Sequence, residues 1–490
     1  MAREPEVRIP GPPERDERAA SGEQIALVLL AATAVLLVVV GVSRPGSGPA
    51  LAVGSMTGAL ALVLVARRSM EVFVLLVLVL RPTLDGLHAS SGVAATDPAR
   101  VLGVLFVAVS LVWWGSRWLE GRRHPSSAAG LALAAFLVAA AVATLGSQAP
   151  GHSAAELARL GTAVLMFFVV DRLCEDTGRP DRVLGAVLAA AVIPVAVAVA
   201  GPLVGIHRTE VKDRIERVIS TFSQSNPFGH FLTITVLVLV AVVLARSGRI
   251  RIGALLALVP VGLALALTYT RLAWAAAVVG VLVMLWVAGK RRLVPALIVL
   301  LVAFAALSPD VGHRIDQLTS PNPNVIGSES GVGWRWGQWA DVAAMAGTNP
   351  ITGIGPGVVE QRLVNHQPPH NDYLKALVEL GVVGLLAFLA QLAALVGLAV
   401  GANRRGEGPK ARTIALAFAG VAAALVVASA AANLLGQVVI LWYVYALAAA
   451  AAWVGRHGSV RLDPRRGVTR LAPPVGPEDQ VDPPWTAVSA

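Results

Sequence analysis

The sequence predicts an all-α fold, that of a polytopic integral membrane protein, from two observations. First, 56% of the 490 residues are hydrophobic and only 14% are charged, whereas a soluble domain carries about 25% charged residues. Second, the apolar residues form runs close to the roughly 20 residues that a helix needs to cross a bilayer, and Lys and Arg occupy the gaps. The net charge of +10 therefore reflects membrane topology, and we expect no nucleic-acid partner.

Fourteen apolar runs are candidate membrane spans, so the sequence predicts about 12–14 transmembrane helices. The runs cover residues 25–42, 49–66, 71–84, 100–118, 127–145, 157–171, 182–202, 228–246, 250–269, 272–289, 293–307, 374–401, 411–432 and 435–454. The runs at 71–84 and 293–307 are shorter than a full span. We expect each of these two to be tilted, re-entrant or extended by a residue or two.

The basic residues alternate between loops as fourteen spans require. With the N-terminus placed inside, the inner loops hold eighteen Lys and Arg and the short outer loops hold eight. Cytoplasmic loops are enriched in Lys and Arg. The pattern therefore predicts a protein of the cytoplasmic membrane with both termini in the cytoplasm and the loop 308–373 on the outer face. Removing the weak run 71–84 would invert every later loop, so we retain it as a span.

This topology divides the chain into three parts. Residues 1–24 are predicted to form a polar cytoplasmic N-terminal tail, and residues 25–454 the transmembrane domain. Residues 455–490 are rich in Pro, Arg and Asp and are predicted to form a disordered cytoplasmic tail. The single cysteine, Cys174, excludes an internal disulfide and a metal site built from several cysteines.

The loop 308–373 is the one long polar segment between apolar runs. Two prolines separate His366 from His370, which predicts an extended backbone there. Asn371 is a candidate N-cap for the apolar helix that follows, and the N-terminus of that helix would suit an anionic ligand. An ordinary connecting loop with a proline turn explains these residues equally well.

Two further features of this loop bear on ligand binding. Three tryptophans surround Arg335 within residues 331–350, and the apolar spacing there predicts an amphipathic helix on the outer membrane surface. Aromatic faces stack on sugars, although tryptophan at an interface more often belongs to the membrane belt. The glycines of Gly353–Gly357 permit a tight turn or a close backbone approach, but their spacing is not that of a phosphate-binding loop.

Arginines occur at two other places on the predicted outer side. Arg214 and Arg217 shortly precede Asn226 at the start of an apolar run, and Arg271 lies between two runs with almost no loop. Arginine offers a planar fork of donors that fits a phosphate, so these residues are candidates for binding a diphosphate. The alternatives are a solvated loop of mixed charge around Arg217 and a simple interfacial anchor at Arg271.

The sequence contains few motifs that are typical of other kinds of catalysis. We find no convincing set of metal ligands and no nucleophile motif of a serine hydrolase, and we expect neither a metal nor a cofactor. External arginines suit a diphosphate leaving group, and a histidine can accept a proton from an attacking hydroxyl at neutral pH. Together they favour a lipid-linked diphosphate as substrate.

The motifs also have a distinctive order along the chain. They are Arg217-x-x-x-Thr221-Phe222, Asn226-Pro227, Thr270-Arg271, Arg335 beside a tryptophan, Pro350, Gly353-x-Gly355-x-Gly357, His370-Asn371-x-Tyr373-Leu374 and Glu379-x-Gly381. In this order they resemble the O-antigen ligase and O-antigen polymerase superfamily, over roughly residues 60–450 and most specifically at 217–230 and 350–385. One departure is that a threonine, Thr270, stands where the family usually has serine before the arginine, so the hydroxyl is kept.

The resemblance implies an activity and a set of site residues. Members of the superfamily move a glycan from an undecaprenyl (polyprenyl) diphosphate carrier onto an acceptor hydroxyl at the outer face, without a metal, in surface polysaccharide or cell wall biosynthesis. The expected partners are the lipid-linked glycan donor, a glycan or glycolipid acceptor and membrane lipid. By resemblance, the catalytic residue is His370, the diphosphate-binding residues are Arg217, Arg271 and Arg335, and the supporting residues are Asn371, Asn226 and Gly355. Ligase and polymerase differ in the acceptor, which one sequence does not reveal.

A flippase for lipid-linked oligosaccharides is the alternative function, since such transporters also have about fourteen helices. A flippase needs charge inside a central cavity. Here charges in the middle of the runs are nearly absent, and the distinctive polar residues gather on one predicted face. That distribution favours chemistry at the outer face.

Overall fold

A computed structural model of the chain describes residues 48–86, 97–120, 127–212, 215–295, 298–299, 332–363 and 368–458. These residues are mostly helical, which confirms the predicted fold class. The main helices are α1 (Gly48–Arg68), α2 (Met70–Leu84), α3 (Pro98–Leu119), α4 (Ala128–Leu145), α5 (Pro150–Thr177), α6 (Asp181–Val199), α7 (Ser225–Ala245), α8 (Gly248–Leu267), α9 (Arg271–Val287), α10 (Val332–Met345), α11 (Val358–Arg362), α12 (Asp372–Arg405), α13 (Gly408–Ser429) and α14 (Val438–His457). Nine of the described helices are long and apolar enough to cross a membrane, so the chain is a polytopic membrane protein.

Twelve of the fourteen predicted spans correspond to helices of the structure. The largest difference is at α5, which extends over 28 residues because its polar first and last turns are helical as well. The weak run at 71–84 is the 15-residue helix α2, which Ser69 caps by accepting a hydrogen bond from the Val72 amide. The predicted span 25–42, most of 293–307 and the predicted tail 1–24 lie outside the described residues. The predicted tail 455–490 is described only for residues 455–458, and α14 extends into it as far as His457.

Helix α14 occupies the centre of the bundle. Nearly all of its residues are buried, and it packs against α5, α12 and α13. Close approach between helices depends on small residues, as expected in lipid. A Cβ at Gly280 of α9 would lie 2.9 Å from the Gly420 carbonyl oxygen of α13. Helix α13 packs against α12, α7 and α9 as well.

Consecutive helices run in opposite directions, so the bundle has two ends. One end holds the connections 146–149, 200–224, 268–270 and 430–437, and we call it the site end. The opposite end holds ion pairs between helices, including Arg182–Glu71, Arg117–Asp176 (3.0 Å), Lys410–Asp181 (2.6 Å) and Arg456–Asp171 (2.5 Å).

Helix α12 is broken at Gly381, which the continuous apolar run did not predict. Gly381 has φ 68° and ψ −171°, and the segment 350–355 inserts at the break. The Val382 amide donates to the Pro350 carbonyl (2.9 Å), and the Gly355 amide donates to the Glu379 carbonyl (2.9 Å). The peptide groups released by the break are therefore paired. The first part of α12, residues 372–380, is a separate short helix that we call the platform helix.

We expect Gly381→Ala to destabilise the protein strongly. Its Cβ would lie 2.1 Å from the Ile351 carbonyl oxygen, at a positive φ. Left-handed backbone costs an ordinary residue about 1–2 kcal/mol and overpacking about 1–3 kcal/mol more. The measurement is the melting temperature of purified protein in detergent. The matched control is Gly397→Ala in the same helix, where a Cβ would have no neighbour within 4 Å, and which we expect to leave the melting temperature unchanged or slightly higher. Equal melting temperatures for both variants would contradict the pairing of the segment 350–355 with the helix at Gly381.

Candidate functional site

Arg217 lies on a β-hairpin that the sequence analysis did not predict. Strands β1 (Thr209–Lys212) and β2 (Ile215–Val218) pair antiparallel, with Arg217 opposite Glu210. Arg217 is buried although most of the hairpin is exposed or half-buried. The alternative of a solvated loop of mixed charge is therefore wrong for Arg217, because this side chain is buried.

Glu210 connects the hairpin to the start of α7. Its carboxylate accepts hydrogen bonds from the Ser225 amide (3.0 Å) and the Ser225 hydroxyl (2.5 Å). A carboxylate is favourable at this position because the first amides of a helix are unpaired and the helix dipole is positive there. The hairpin is thus fixed to the helix terminus that bears Asn226.

The connection between α8 and α9 reaches the same helix terminus. The Thr270 hydroxyl lies 3.2 Å from the Ser225 carbonyl oxygen and 3.4 Å from Asn226 Oδ1, both of which can accept its proton. Arg271 follows as the first residue of α9 and is exposed. The structure therefore brings together three sequence motifs that are up to 54 residues apart in the chain, those of Arg217, Asn226 and Arg271.

His370 is held at the start of the platform helix. The indole N–H of Trp339 donates to the carbonyl of Pro369 (2.7 Å), and Asn371 Oδ1 accepts from the Leu374 amide (3.0 Å). The predicted N-cap at Asn371 is confirmed. The backbone of His370 itself is left-handed, with φ 50°, rather than extended as its neighbouring prolines suggested.

Backbone strain occurs at or close to the motifs of Arg217, Arg271 and His370. Among the described residues, the non-glycine residues with positive φ are Ser220, Tyr269 and His370. Ser220 follows Arg217 by three positions, Tyr269 precedes Thr270-Arg271, and His370 is the candidate base. A residue in this conformation costs about 1–3 kcal/mol and persists where the surroundings determine it, commonly at functional sites.

The segment 353–357, which we call the glycine loop, packs against the start of α5. Gly355 has φ 110°, and a Cβ there would lie 2.1 Å from Ser147 Oγ. Ser147 and Ser153 share a hydrogen bond (2.7 Å), and the Ser153 hydroxyl lies 2.9 Å from the carbonyl of Pro356. Gly355 thus allows the loop to pack against the start of α5.

The arginine motifs and His370 lie at the same end of the bundle. The Tyr373 hydroxyl of the platform helix donates to the Val426 carbonyl near the site end of α13 (2.9 Å). Helix α7, which begins with Ser225-Asn226, and helix α9, which begins with Arg271, pack against the same helix α13. Both groups of residues therefore belong to segments that begin at the site end and contact α13.

The side chains of Arg335 and His366 are not among those that the structure describes. Arg335 belongs to α10, which confirms a helix within the predicted range 331–350 over Val332–Met345, but the side chain of Arg335 lies outside the described part of the structure. Val342 of α10 packs in a buried cluster with Ile354 of the glycine loop and Val358 of α11. His366 lies outside the described residues.

Sequence reasoning missed an ionic cluster at the platform helix. Lys375 Nζ lies 2.7 Å from Glu360 Oε1 and 3.8 Å from Glu379 Oε1. Burial alone would raise the pKa of Glu360, but Lys375, together with a hydrogen bond from Asn433, holds that pKa below its ordinary value. The signal was a Lys and a Glu four residues apart at the start of an apolar helix.

The fold and the site define a polytopic membrane protein whose histidine and arginine motifs lie at the same end of a helix bundle. Within the residues that the structure describes, no three His, Cys, Asp or Glu side chains could hold a metal ion together. Residues 254–389 match the O-antigen ligase family, so the chain carries a domain of that family over these residues. The match includes Arg271, Arg335, Gly355, His370 and Asn371, whereas Arg217 and Asn226 precede it. No curated protein matches the chain.

Proposed function

We propose that the chain transfers a glycan from a polyprenyl diphosphate carrier onto an acceptor hydroxyl at the outer face of the cytoplasmic membrane. The observation that carries this proposal is the location of His370 and of the Arg217 and Arg271 motifs at the same end of the bundle. The O-antigen ligase match over residues 254–389 supports the same reaction class.

The proposed reaction is a displacement at the anomeric carbon of the donor sugar. The acceptor oxygen forms the new glycosidic bond, and the bond from that carbon to the diphosphate oxygen breaks. His370 accepts the proton of the acceptor hydroxyl. Arg217 and Arg271, with Arg335 as a third ligand, stabilise the charge that develops on the leaving diphosphate. Asn371 and Asn226 support the site by their positions at helix termini.

Purified protein in liposomes, supplied with a labelled glycan on polyprenyl diphosphate and a glycan or glycolipid acceptor, tests the proposal. We expect the label to appear on the acceptor and free polyprenyl diphosphate to accumulate. Movement of intact donor between leaflets, with no new glycosidic bond, would support the flippase instead.

The proposal also requires the site end to face outward. Gln148 lies at the site end and Ser247 at the opposite end. In intact cells, we expect a membrane-impermeant thiol reagent to label Gln148→Cys and not Ser247→Cys. Both positions are exposed, whereas the native Cys174 is buried and contributes little background. Labelling of Ser247→Cys alone would place the site in the cytoplasm and contradict the proposal.

A further inference from the structure

We propose that Lys375 is a positioning residue that fixes the platform helix, and with it His370; this inference rests on the proposed function. The cluster consists of Lys375, Glu360 and Glu379. Lys375 follows His370 by five residues and is distinct from the residues proposed to contact substrate.

The platform helix needs such a device because Gly381 separates it from the membrane-spanning part of α12. A continuous helix would transmit the orientation of the span to its first turn. At the break, the helix is instead held by hydrogen bonds to the segment 350–355. The position of His370 therefore depends on local contacts.

One set of contacts ties the platform helix to the α13–α14 connection. Asp372 is buried and accepts hydrogen bonds from the amides of Leu434 (3.1 Å) and Leu435 (3.2 Å). Tyr373 adds its bond to the end of α13. These contacts involve only the first residues of the helix.

The second set ties the platform helix to helix α11, which directly follows the glycine loop, and depends on Lys375. The side chains of Lys375 and Glu379 are only 6% and 4% exposed, whereas that of Glu360 on α11 is 34% exposed. Glu379 also accepts hydrogen bonds from the amides of Gly357 and Val359. A buried ammonium group is costly unless it is paired, so Lys375 favours the arrangement in which both carboxylates, one on each segment, surround it.

Loss of Lys375 would leave the Glu379 carboxylate buried without its nearest cation. We expect the platform helix to shift or to open locally, and His370 to leave its productive position. A misplacement of about 1 Å can cost on the order of 100-fold in rate. Donor affinity would be little affected, because the arginine motifs belong to other segments.

The test compares Lys375→Met and Glu360→Gln with wild-type protein in two measurements. The first is hydrogen exchange of the backbone amides at 371–380, which reports local opening. The second is kcat and the donor KM in the transfer assay. For Lys375→Met we expect faster exchange, a kcat lower by roughly 10- to 100-fold and a donor KM within about twofold. Glu360→Gln changes a partly exposed group, and we expect smaller changes in the same direction.

The matched control is Lys410→Met, which breaks an ion pair of similar length with Asp181 at the opposite end. We expect neither exchange at 371–380 nor kcat to change in this variant. If Lys375→Met does not accumulate in membranes, the Glu360→Gln measurements decide the question. Unchanged exchange, or a raised donor KM with normal kcat, overturns the positioning role.

His370→Ala separates this inference from the proposed function. If His370→Ala is inactive while Lys375→Met exchanges faster yet retains normal kcat, the positioning role is wrong and the proposed function stands. If His370→Ala is as active as wild type, the proposed role of His370 is wrong, and the positioning role falls with it.

Discussion

Replacement of His370 by alanine is expected to lower the rate of glycan transfer by about 10²- to 10⁴-fold, the usual contribution of a general base. Of the two residues that follow His370, Asn371 serves as the N-cap and Asp372 is buried against the α13–α14 connection, so we expect neither to replace it as the base. Binding of the lipid-linked donor is expected to survive, since the arginine motifs provide it. Turnover is measured with labelled donor in liposomes, and donor binding with the same protein in detergent.

Two other histidines provide controls for this variant. His207→Ala removes an exposed histidine at the same end of the bundle, and His366→Ala removes the second histidine of the motif; we expect mild effects from both. Near-normal turnover of His370→Ala combined with weaker donor binding would make His370 a ligand of the donor. The mechanism would then depend on activation of the leaving group by the arginines.

The membrane spans were predictable because span length and apolarity are local properties of the chain. The break at Gly381 was not, because the apolar run continues through it and the partner that fills the break, residues 350–355, precedes it by about 30 residues. The hairpin formed by β1 and β2 was not predicted, for a different reason. Its strands are four residues each, rich in charge and short of the apolar alternation that indicates a strand.

The residue types of the site were predictable, but their assembly was not. Arg217, Arg271 and His370 were identified from their chemistry and from the resemblance. The motifs of Arg217 and Arg271 are joined by two contacts, from the Ser225 amide to Glu210 and from Thr270 to Ser225. No local sequence pattern indicates these contacts. The charges of Lys375 and Glu379 were visible in the sequence. Their burial and their pairing with Glu360 require the tertiary fold.

The structure also suggests why the site combines strain with rigid support. Ser220, Tyr269 and His370 each adopt a left-handed backbone, and each is anchored by neighbouring bonds. The Ser220 hydroxyl donates to the carbonyl of Pro194 (2.6 Å), and the Tyr269 amide donates to the carbonyl of Ala266 (3.1 Å). Arginine and histidine side chains that start from fixed backbone lose less freedom when a ligand binds, which favours affinity.

Replacement of Arg217 or Arg271 by lysine is expected to weaken donor binding and transfer while the charge is kept. Lysine is a point charge that cannot donate two parallel hydrogen bonds to one phosphate. Loss of one charge-assisted hydrogen bond costs about 1.5–3 kcal/mol, which corresponds to roughly 10- to 150-fold in affinity.

The two arginines differ in exposure, and the difference makes the comparison informative. Arg271 is exposed, so Arg271→Lys is expected to leave the melting temperature unchanged and to act on the ligand alone. Arg217 is buried opposite Glu210, so Arg217→Lys is expected to lower the melting temperature as well. Arg100→Lys, at an exposed arginine paired with Asp97 at 3.8 Å, is the matched control and is expected to retain full transfer. Donor dissociation constants and transfer rates for the three variants decide the matter, and full activity of both Arg217→Lys and Arg271→Lys would remove the diphosphate role from these side chains.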